Sequence, residues 1–506
     1  ANAQTKADTA AYPFWLDMMA DPSINFYKTQ KAFNTYWENR PIEKGSGYKP
    51  FKRWEHNMLE VIDDKGNIPA PGVLASRVEQ FARTYTPGGT GIFQRGGVNS
   101  ATCLKSGNWV EIGPTSLPGN RTSQPNGLGR INALAFHPAD SNILYAGAPA
   151  GGLWISKDGG KNWSTTTDTM ASLGVSSIAV DPLHPDTIYI GTGDRDASDS
   201  YGRGIFRSKD GGVSWEARNT GLGNRIVGRL IIDPKNHNTL FAATNGGIFK
   251  TTNGGQNWSL IIAGNFKDID FCPTNANYIY AATYGNCKFY RSTDYGATFT
   301  QVTSVLPTGQ RRMVIGTTPA DSNMVYVLVT ESRKYKGLYL STDKGLTFTT
   351  MSTTPNIMDY STTGSGTGGQ AWYDLDIVID AKNKGTIYVG GVNIFQSLDS
   401  GKTWKINAHW VGSGGAPSIH ADQHVLEIQS STSGVFAGND GGVYYTKNDG
   451  NDWTDISDDL GIAQIYRLSQ SATVKDLVIN GYQDNGTGLY ENGSWFTVMG
   501  GDGMDC

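Results

Sequence analysis

The sequence predicts an all-β chain: a multi-bladed β-propeller of four-stranded blades, preceded by a small α-helical N-terminal segment. Three observations carry this. Glycine makes up 64 of 506 residues, about 13% where about 7% is usual. Aromatic residues are plentiful, with 13 Trp, 24 Tyr and 18 Phe, which a disordered glycine-rich chain would lack. A unit of roughly 40–50 residues also returns along the chain with the same ending, the mark of a repeat architecture.

The elements follow in order. From Tyr12 to Thr84 the pattern is helical: Phe26, Phe33, Tyr36 and Trp37 fall at helical spacing, and so do Trp54, Met58 and Val61 or Ile62. Asp21-Pro22-Ser23 supplies a start signal, Gly45-Ser46-Gly47 a break, and a third short helix is expected from Val73 to Ala82. The aromatic stripe is expected to pack on the neighbouring domain; a processing or docking role is the alternative. Gly88-Gly89 through Gly96-Gly97 reads as a linker, dividing a helical segment (1–104) from the propeller (105–506).

The first full unit runs Ile131–Phe136, the corner His137-Pro138, Ile143–Gly147, then Gly152–Trp163. Its ending, Ser-x-Asp-x-Gly-x-x-Trp at Ser156–Trp163, returns at Ser208–Trp215 and Ser397–Trp404. Phe stands last at Ser292–Phe299 and Ser341–Phe348, and Asn replaces Asp at Thr251–Trp258 and Thr446–Trp453. Each unit holds strands A to D, with the motif as the C–D hairpin: Asp bonds nearby backbone N–H groups, Gly takes the positive φ, and the aromatic packs between sheets. An eighth blade without the motif has strand B at Leu477–Tyr482 and the others at Tyr466–Ser471, Gly488–Glu491 and Ser494–Val498. Gly501–Cys506 reads as the opening of another strand A, so this propeller or a second one is expected to continue. Trp109–Ile112 resembles an isolated strand D that closes a ring.

The formal charge of −4 offers no basic field, so a nucleic-acid partner is not expected. No apolar run is long enough for a transmembrane segment. The chain begins Ala1-Asn2-Ala3, as after removal of a signal peptide. Cys103, Cys272, Cys287 and Cys506 form no CxxC pair, which argues against a zinc site built from them. Cys272 and Cys287 lie at opposite ends of a strand, roughly 23 Å apart, too far for a disulfide; Cys103 and Cys506 pair only if the ring closes nearby.

The hairpin motif resembles the Asp-box, or BNR repeat, of sialidases, sortilin-type propellers and xyloglucan-degrading glycoside hydrolases, a motif specific for fold and not activity. Gly129-Arg130-Ile131, Gly152-Leu153-Trp154, Gly191-Thr192-Gly193-Asp194, Trp372-Tyr373-Asp374, Gly390–Asn393, Gly438–Gly442, Gln483–Gly486 and the run Tyr48–Glu55 are similar to sortilin-like BNR propellers exported by bacterial type IX secretion. That resemblance implies a secreted or cell-surface cargo, with the outer-membrane secretion machinery as its export partner. It also implies a C-terminal sorting domain, which is not visible here. The more distant xyloglucan-degrading resemblance implies catalytic Asp residues in Asp-x-Gly-Gly segments at B-strand ends. Here Ala148-Pro149-Ala150-Gly151-Gly152 has Pro149 in that place. Gly438-Asn439-Asp440-Gly441-Gly442 has Asn439, with Asp440 displaced by one and so turned to the other strand face. Both catalytic positions read as lost, and the Arg-Ile-Pro signature of sialidases is absent.

Antiparallel order puts the starts of A and the ends of B on one face of the disc. That face is expected to gather Arg130, Asp194, Asp196, Arg229, Tyr373, Asp374, Asn393, His420, Asp422, His424, Asp440, Gln483, Asp484, Asn485 and Asp502 around the mouth of the central channel. The alternative is that these polar groups only cap strand tips. In His420-x-Asp422-x-His424, period two would turn three side chains to one side of a strand, as a metal site requires. Asp194, Asp196 and Asp199 would hold Ca²⁺ only with further oxygen ligands; no cofactor is certain. The reading that follows is a propeller binding a surface protein or glycan at its channel mouth, leaning away from catalysis. The alternative is a glycoside hydrolase using an atypical carboxylate pair among Asp374, Asp422 and Asp484. A third reading makes the chain a passenger whose further domains carry the function.

Overall fold

The computed structural model describes residues 15–19, 21–42, 48–59, 61–70, 73, 76 and 111–503, apart from 171, 199, 310 and 311. Its regular structure is chiefly antiparallel sheet, in eight sheets, seven of them with strands in chain order. Each repeat forms one blade because its strands are joined by short turns, and a four-strand meander is the pairing that such turns permit. The innermost strands of blades 1 to 7 are Ala133–Phe136, Val175–Val180, Val227–Asp233, Phe266–Phe271, Arg312–Thr317, Asp376–Ile379 and Gln423–Gln429. They stand side by side in that order, and the seventh packs against the first. A central cavity of about 140 Å³ is lined by all seven, through residues such as Ala133, Ser177, Arg229, Asp268, Val314, Asp376 and Glu427. The ring therefore closes with seven blades.

The hairpin motif explains how the blades are joined. In blade 1, Ser156 Oγ donates to Asp158 Oδ1 (2.9 Å) and accepts from Gly160 N (2.8 Å), while Asp158 Oδ1 also accepts from Lys161 N and Asn162 N. The Ser-to-Asp or Thr-to-Asn bond recurs at Ser208, Thr251, Ser292, Ser341, Ser397 and Thr446. The tryptophan that ends a box reaches the preceding blade. Trp215 Nε1 donates to Thr166, Trp258 to the Arg218 carbonyl, Trp404 to Ser352 and Trp453 to Asn407. Trp163 of blade 1 donates to the Ile456 carbonyl of blade 7 at 2.7 Å, so the same stitch closes the ring. A Cβ on Gly160 (φ 89°) would lie 2.6 Å from Ile456 Cδ1, so this close approach requires glycine.

The eighth sheet stands outside the ring. Its strands are Ile465–Gln470, Val478–Tyr482, Thr487–Glu491 and Ser494–Met499, and Gly119–Asn120 joins its edge in parallel with the last of them. This corrects two expectations. The early strand is at 119–120 rather than Trp109–Ile112, and it completes the eighth sheet instead of closing the ring. Of the expected strand, 109 and 110 lie outside the described residues, and Glu111 and Ile112 are not in a strand. Where the ring's innermost strands are mostly buried, Ile465 and Leu468 of the eighth sheet are 46% and 60% exposed.

Helices α1 (Trp15–Met19), α2 (Phe26–Trp37) and α3 (Tyr48–Leu59) precede the sheets. The cap of α2 is Asn25, whose side chain accepts from Tyr27 N; Asp21 instead binds Ser23 in the turn before it. Phe33 stacks on Phe51 with ring centroids 3.7 Å apart, and Trp15 meets both edge-on. This aromatic cluster continues into Ala197, Trp372 and Tyr373 of the propeller. The helices thus form a cap on the face opposite the boxes. The helix expected from Val73 to Ala82 and the glycine linker fall almost wholly outside the described residues, as do Cys103 and Cys506. Cys272 and Cys287 are buried free thiols. Among the described residues no helix is long and apolar enough to cross a membrane.

Candidate functional site

Beneath the cap, the starts of A strands and the B–C turns place polar side chains from separate blades within reach of one another. Arg130 donates to Asp194 (2.7 Å) and to the Tyr373 hydroxyl (2.9 Å); Asn132 also donates to Asp194. Tyr373 in turn donates to Asp440 (2.9 Å). His424 lies between Asp440 (2.8 Å, Nε2) and Asp196 (3.0 Å, Nδ1). Asp196 is paired further with Lys267 (2.9 Å) and Arg312 (3.0 Å). Each of these side chains is buried. Burial opposes a charge on His424, but Asp440 and Asp196 overcome it and raise its pKa. The set is a continuous plug of alternating charge across the mouth, where isolated charges would be prohibitive.

Several expectations are corrected here. Asp194 and Asp196 are engaged by arginine, lysine, asparagine and histidine, so they do not form a Ca²⁺ loop; Asp199 lies outside the described residues. His420, Asp422 and His424 do not share a face. Asp422 takes a left-handed φ of 69°, the strand begins only at Gln423, and a bulge follows at Gln423/Val425, so period two never starts. Arg229 lines the channel, where it pairs with Asp268 at 3.0 Å. Asn393 bridges the Asp359 carbonyl and Trp410 N. Gln483 accepts from the Tyr466 hydroxyl, and Asn485 donates to the Asp440 carbonyl, tying the eighth sheet to blade 7.

The remaining residues surround a cavity of about 470 Å³ between the cap, the mouth and the eighth sheet. Tyr48, Trp372, Tyr373 and Trp410 supply aromatic wall; His420, Asp422, Asp484 and Asp502 supply the polar groups. From α3, Arg53 reaches both Asp484 (2.9 Å) and Asp502, while Lys49 pairs with Asp502 at 2.7 Å. These two carboxyls behave differently. Arg53 and Lys49 overcome burial at Asp502 and depress its pKa. Burial, with Asp502, Asp440 and Asp422 nearby, raises Asp484 well above the ordinary carboxyl range despite Arg53. Of the two, Asp484 has the greater proton affinity, both of its carboxyl oxygens accept from Arg53, and its side chain is 25% exposed. Asp374 lies fully buried, with neither carboxyl oxygen hydrogen-bonded; burial and Asp422 push its pKa well up. Burial lowers the pKa of His420.

Two features escaped sequence reasoning. The sequence names Asp484 but not its place in the B–C turn of the eighth sheet, the same topological place as Pro149 in blade 1 and Asn439–Gly442 in blade 7; the signal was Asp484-Asn485-Gly486 directly after a strand B. Lys49 and Arg53 lie in the Tyr48–Glu55 run, whose role depends on contacts across more than four hundred residues.

No protein-family model matches the chain. It is 25% identical over 333 residues to a xyloglucanase of Hypocrea jecorina, covering 55% of this chain and 38% of that protein. It is 27% identical over 346 residues to a xyloglucanase of Acetivibrio thermocellus, covering 56% and 39%. The chain thus spans less than two fifths of the length of these relatives. Among solved structures, the GH74 enzyme of Niastella koreensis superposes with a TM-score of 0.53 at 20% identity, covering 75% of this chain and 61% of that one. The propeller fold is shared with these xyloglucanases.

Proposed function

We propose that this chain is a glycan-processing propeller that takes a segment of a β-linked polysaccharide into the cavity under its cap. Asp484 acts as the proton donor and Asp422 as the opposing carboxylate. The observation that carries this reading is one cavity uniting aromatic walls with a partly exposed carboxyl, whose proton affinity burial raises, and a second carboxyl on the same wall. Glycoside hydrolysis needs one protonated and one ionised carboxyl, and aromatic faces supply apolar area for a sugar ring. The likeness to xyloglucanases supports a xyloglucan-like substrate. Secretion to the cell exterior, with type IX export as the route, belongs to the same proposal and rests on the Asp-box and sortilin-like resemblance.

A second reading, glycan or protein binding without turnover, is favoured by one observation: Arg53 bonds both Asp484 and Asp502 and so ties the cap across the cavity. Reducing-end release from xyloglucan and related β-glucans separates the two readings. Wild type is expected to hydrolyse, Asp484→Asn and Asp422→Asn to lose about 10²–10⁴-fold, and Arg53→Ala to change turnover by loosening the cap. No turnover by wild type or Arg53→Ala, with glycan binding retained, overturns the catalytic reading in favour of the binding one.

A further inference from the structure

On the opposite, box-bearing face, at the junction of blades 2 and 3, Asp181, His184 and His237 bring three donor atoms within 4.8 Å of one another. Asp181 is the first residue after strand A of blade 2 (Val175–Val180), His184 follows in the same A–B loop, and His237 comes from strand B of blade 3 (Asn236–Thr244). The carboxylate is divided in its duties. Oδ1 accepts from Leu183 N (2.9 Å) and His184 N (3.2 Å), which fixes the group and directs Oδ2 at the two imidazoles. Oδ2 is 3.5 Å from His184 Nδ1 and 3.4 Å from His237 Nδ1. Those separations are long for hydrogen bonds. They match ligands of one tetrahedral ion, which at metal–donor distances of about 2.0–2.1 Å lie about 3.4 Å apart. A second observation points the same way: His237 Nδ1 is buried and has no hydrogen-bond partner, a condition buried polar atoms rarely tolerate.

We propose that Asp181, His184 and His237 form a transition-metal site of the zinc class. Two imidazole nitrogens and one carboxylate oxygen suit Zn²⁺. His184 has 60% of its side chain exposed, so solvent reaches the fourth position and water completes the tetrahedron. The ligands come from two blades, so the ion pins blade 2 to blade 3 on the face away from the glycan cavity. The site stands independently of the function proposed above.

The test is metal uptake by the intact protein, read by calorimetry with Zn²⁺ and by the visible spectrum with Co²⁺ as a probe. Wild type is expected to take one Zn²⁺ at this site and to give the intense d–d bands of tetrahedral Co²⁺. His237→Ala removes no hydrogen bond from Nδ1 but does remove a ring contact with His184 (centroids 4.5 Å apart), so its folding is checked by circular dichroism alongside the titration. It is expected to weaken Zn²⁺ binding by more than about tenfold, the scale on which even outer-shell partners act, and to abolish the tetrahedral spectrum. His184→Ala is expected to do the same. Equal stoichiometry and affinity in wild type and both variants, or no uptake by wild type, overturns the proposal.

Discussion

The two faces of the disc are built on different principles. On the box face one local solution is repeated blade after blade, each hairpin satisfying its own backbone and most reaching one blade back through an indole N–H. On the mouth face nothing repeats. Arg130 of blade 1, Asp194 of blade 2, Tyr373 near blade 6 and Asp440 of blade 7 form one buried chain of ion pairs and hydrogen bonds. Repetition spreads stability in small increments, whereas the mouth concentrates it in a few charges with no substitute.

Substitutions test that contrast. The largest effect is expected from Arg130→Met, which takes the guanidinium from buried Asp194, whose other donors include Asn132 and the N–H groups of Asp196 and Ala197, and removes a partner of Tyr373. Losing one member of a buried pair costs about 3–5 kcal/mol, measurable by urea unfolding; a loss below about 1 kcal/mol breaks the contrast. Trp163→Phe deletes the stitch between blades 1 and 7 and is expected to cost about 1 kcal/mol. The ring already carries Phe299 and Phe348 at this place in blades 4 and 5, so a cost as large as that of Arg130→Met would mean the rim is not incremental.

The smallest effect is a dependence on acid. Hydrogen bonds from the side chain and backbone of Ser214 bring the Asp210 carboxyl down to about 2, and Asp158, Asp294 and Asp343 are also held at about 2. A depressed carboxyl contributes stability that is present above its unfolded value near 3.9 and is lost as pH falls through about 2. Stability should therefore decline from about pH 4 downward, and Asp210→Asn should flatten that slope, as monitored by acid titration of the fold. The boxes of Asn253 and Asn448 have no carboxyl to protonate at this position, so blades 3 and 7 supply an internal comparison.

The same contrast explains what the sequence disclosed. The box hairpins were legible because Ser156, Asp158 and Gly160 interact within a few residues and Trp163 follows at a fixed spacing, and the eighth sheet's strands because short turns bound them. The mouth was legible only as a set of polar residues on one face. Their partner choices were hidden, since Arg130 meets Tyr373 across 243 residues. Asp422 defeated the period-two argument by one backbone angle that composition does not announce. His237 drew no attention because its companions Asp181 and His184 belong to another blade.

The stitch from Trp163 to Ile456 also has a kinetic meaning. It spans 293 residues, while every blade of the ring is one unbroken run of chain whose strands pair with their sequence neighbours. Blades can assemble from local contacts, quickly and in any order, but joining the first to the last must meet the entropy of closing a very long loop. The joint is held by packing, by Trp163, by backbone bonds from Leu128 to Gly441 and Ile131 to Asn439, and by the Arg130–Tyr373–Asp440 chain at the mouth. Opening it breaks no strand pairing within any blade of the ring, but it must also part the buried Arg130–Tyr373–Asp440 chain and strain the pairing of Gly119–Asn120 with the eighth sheet, so these are what lock the seam.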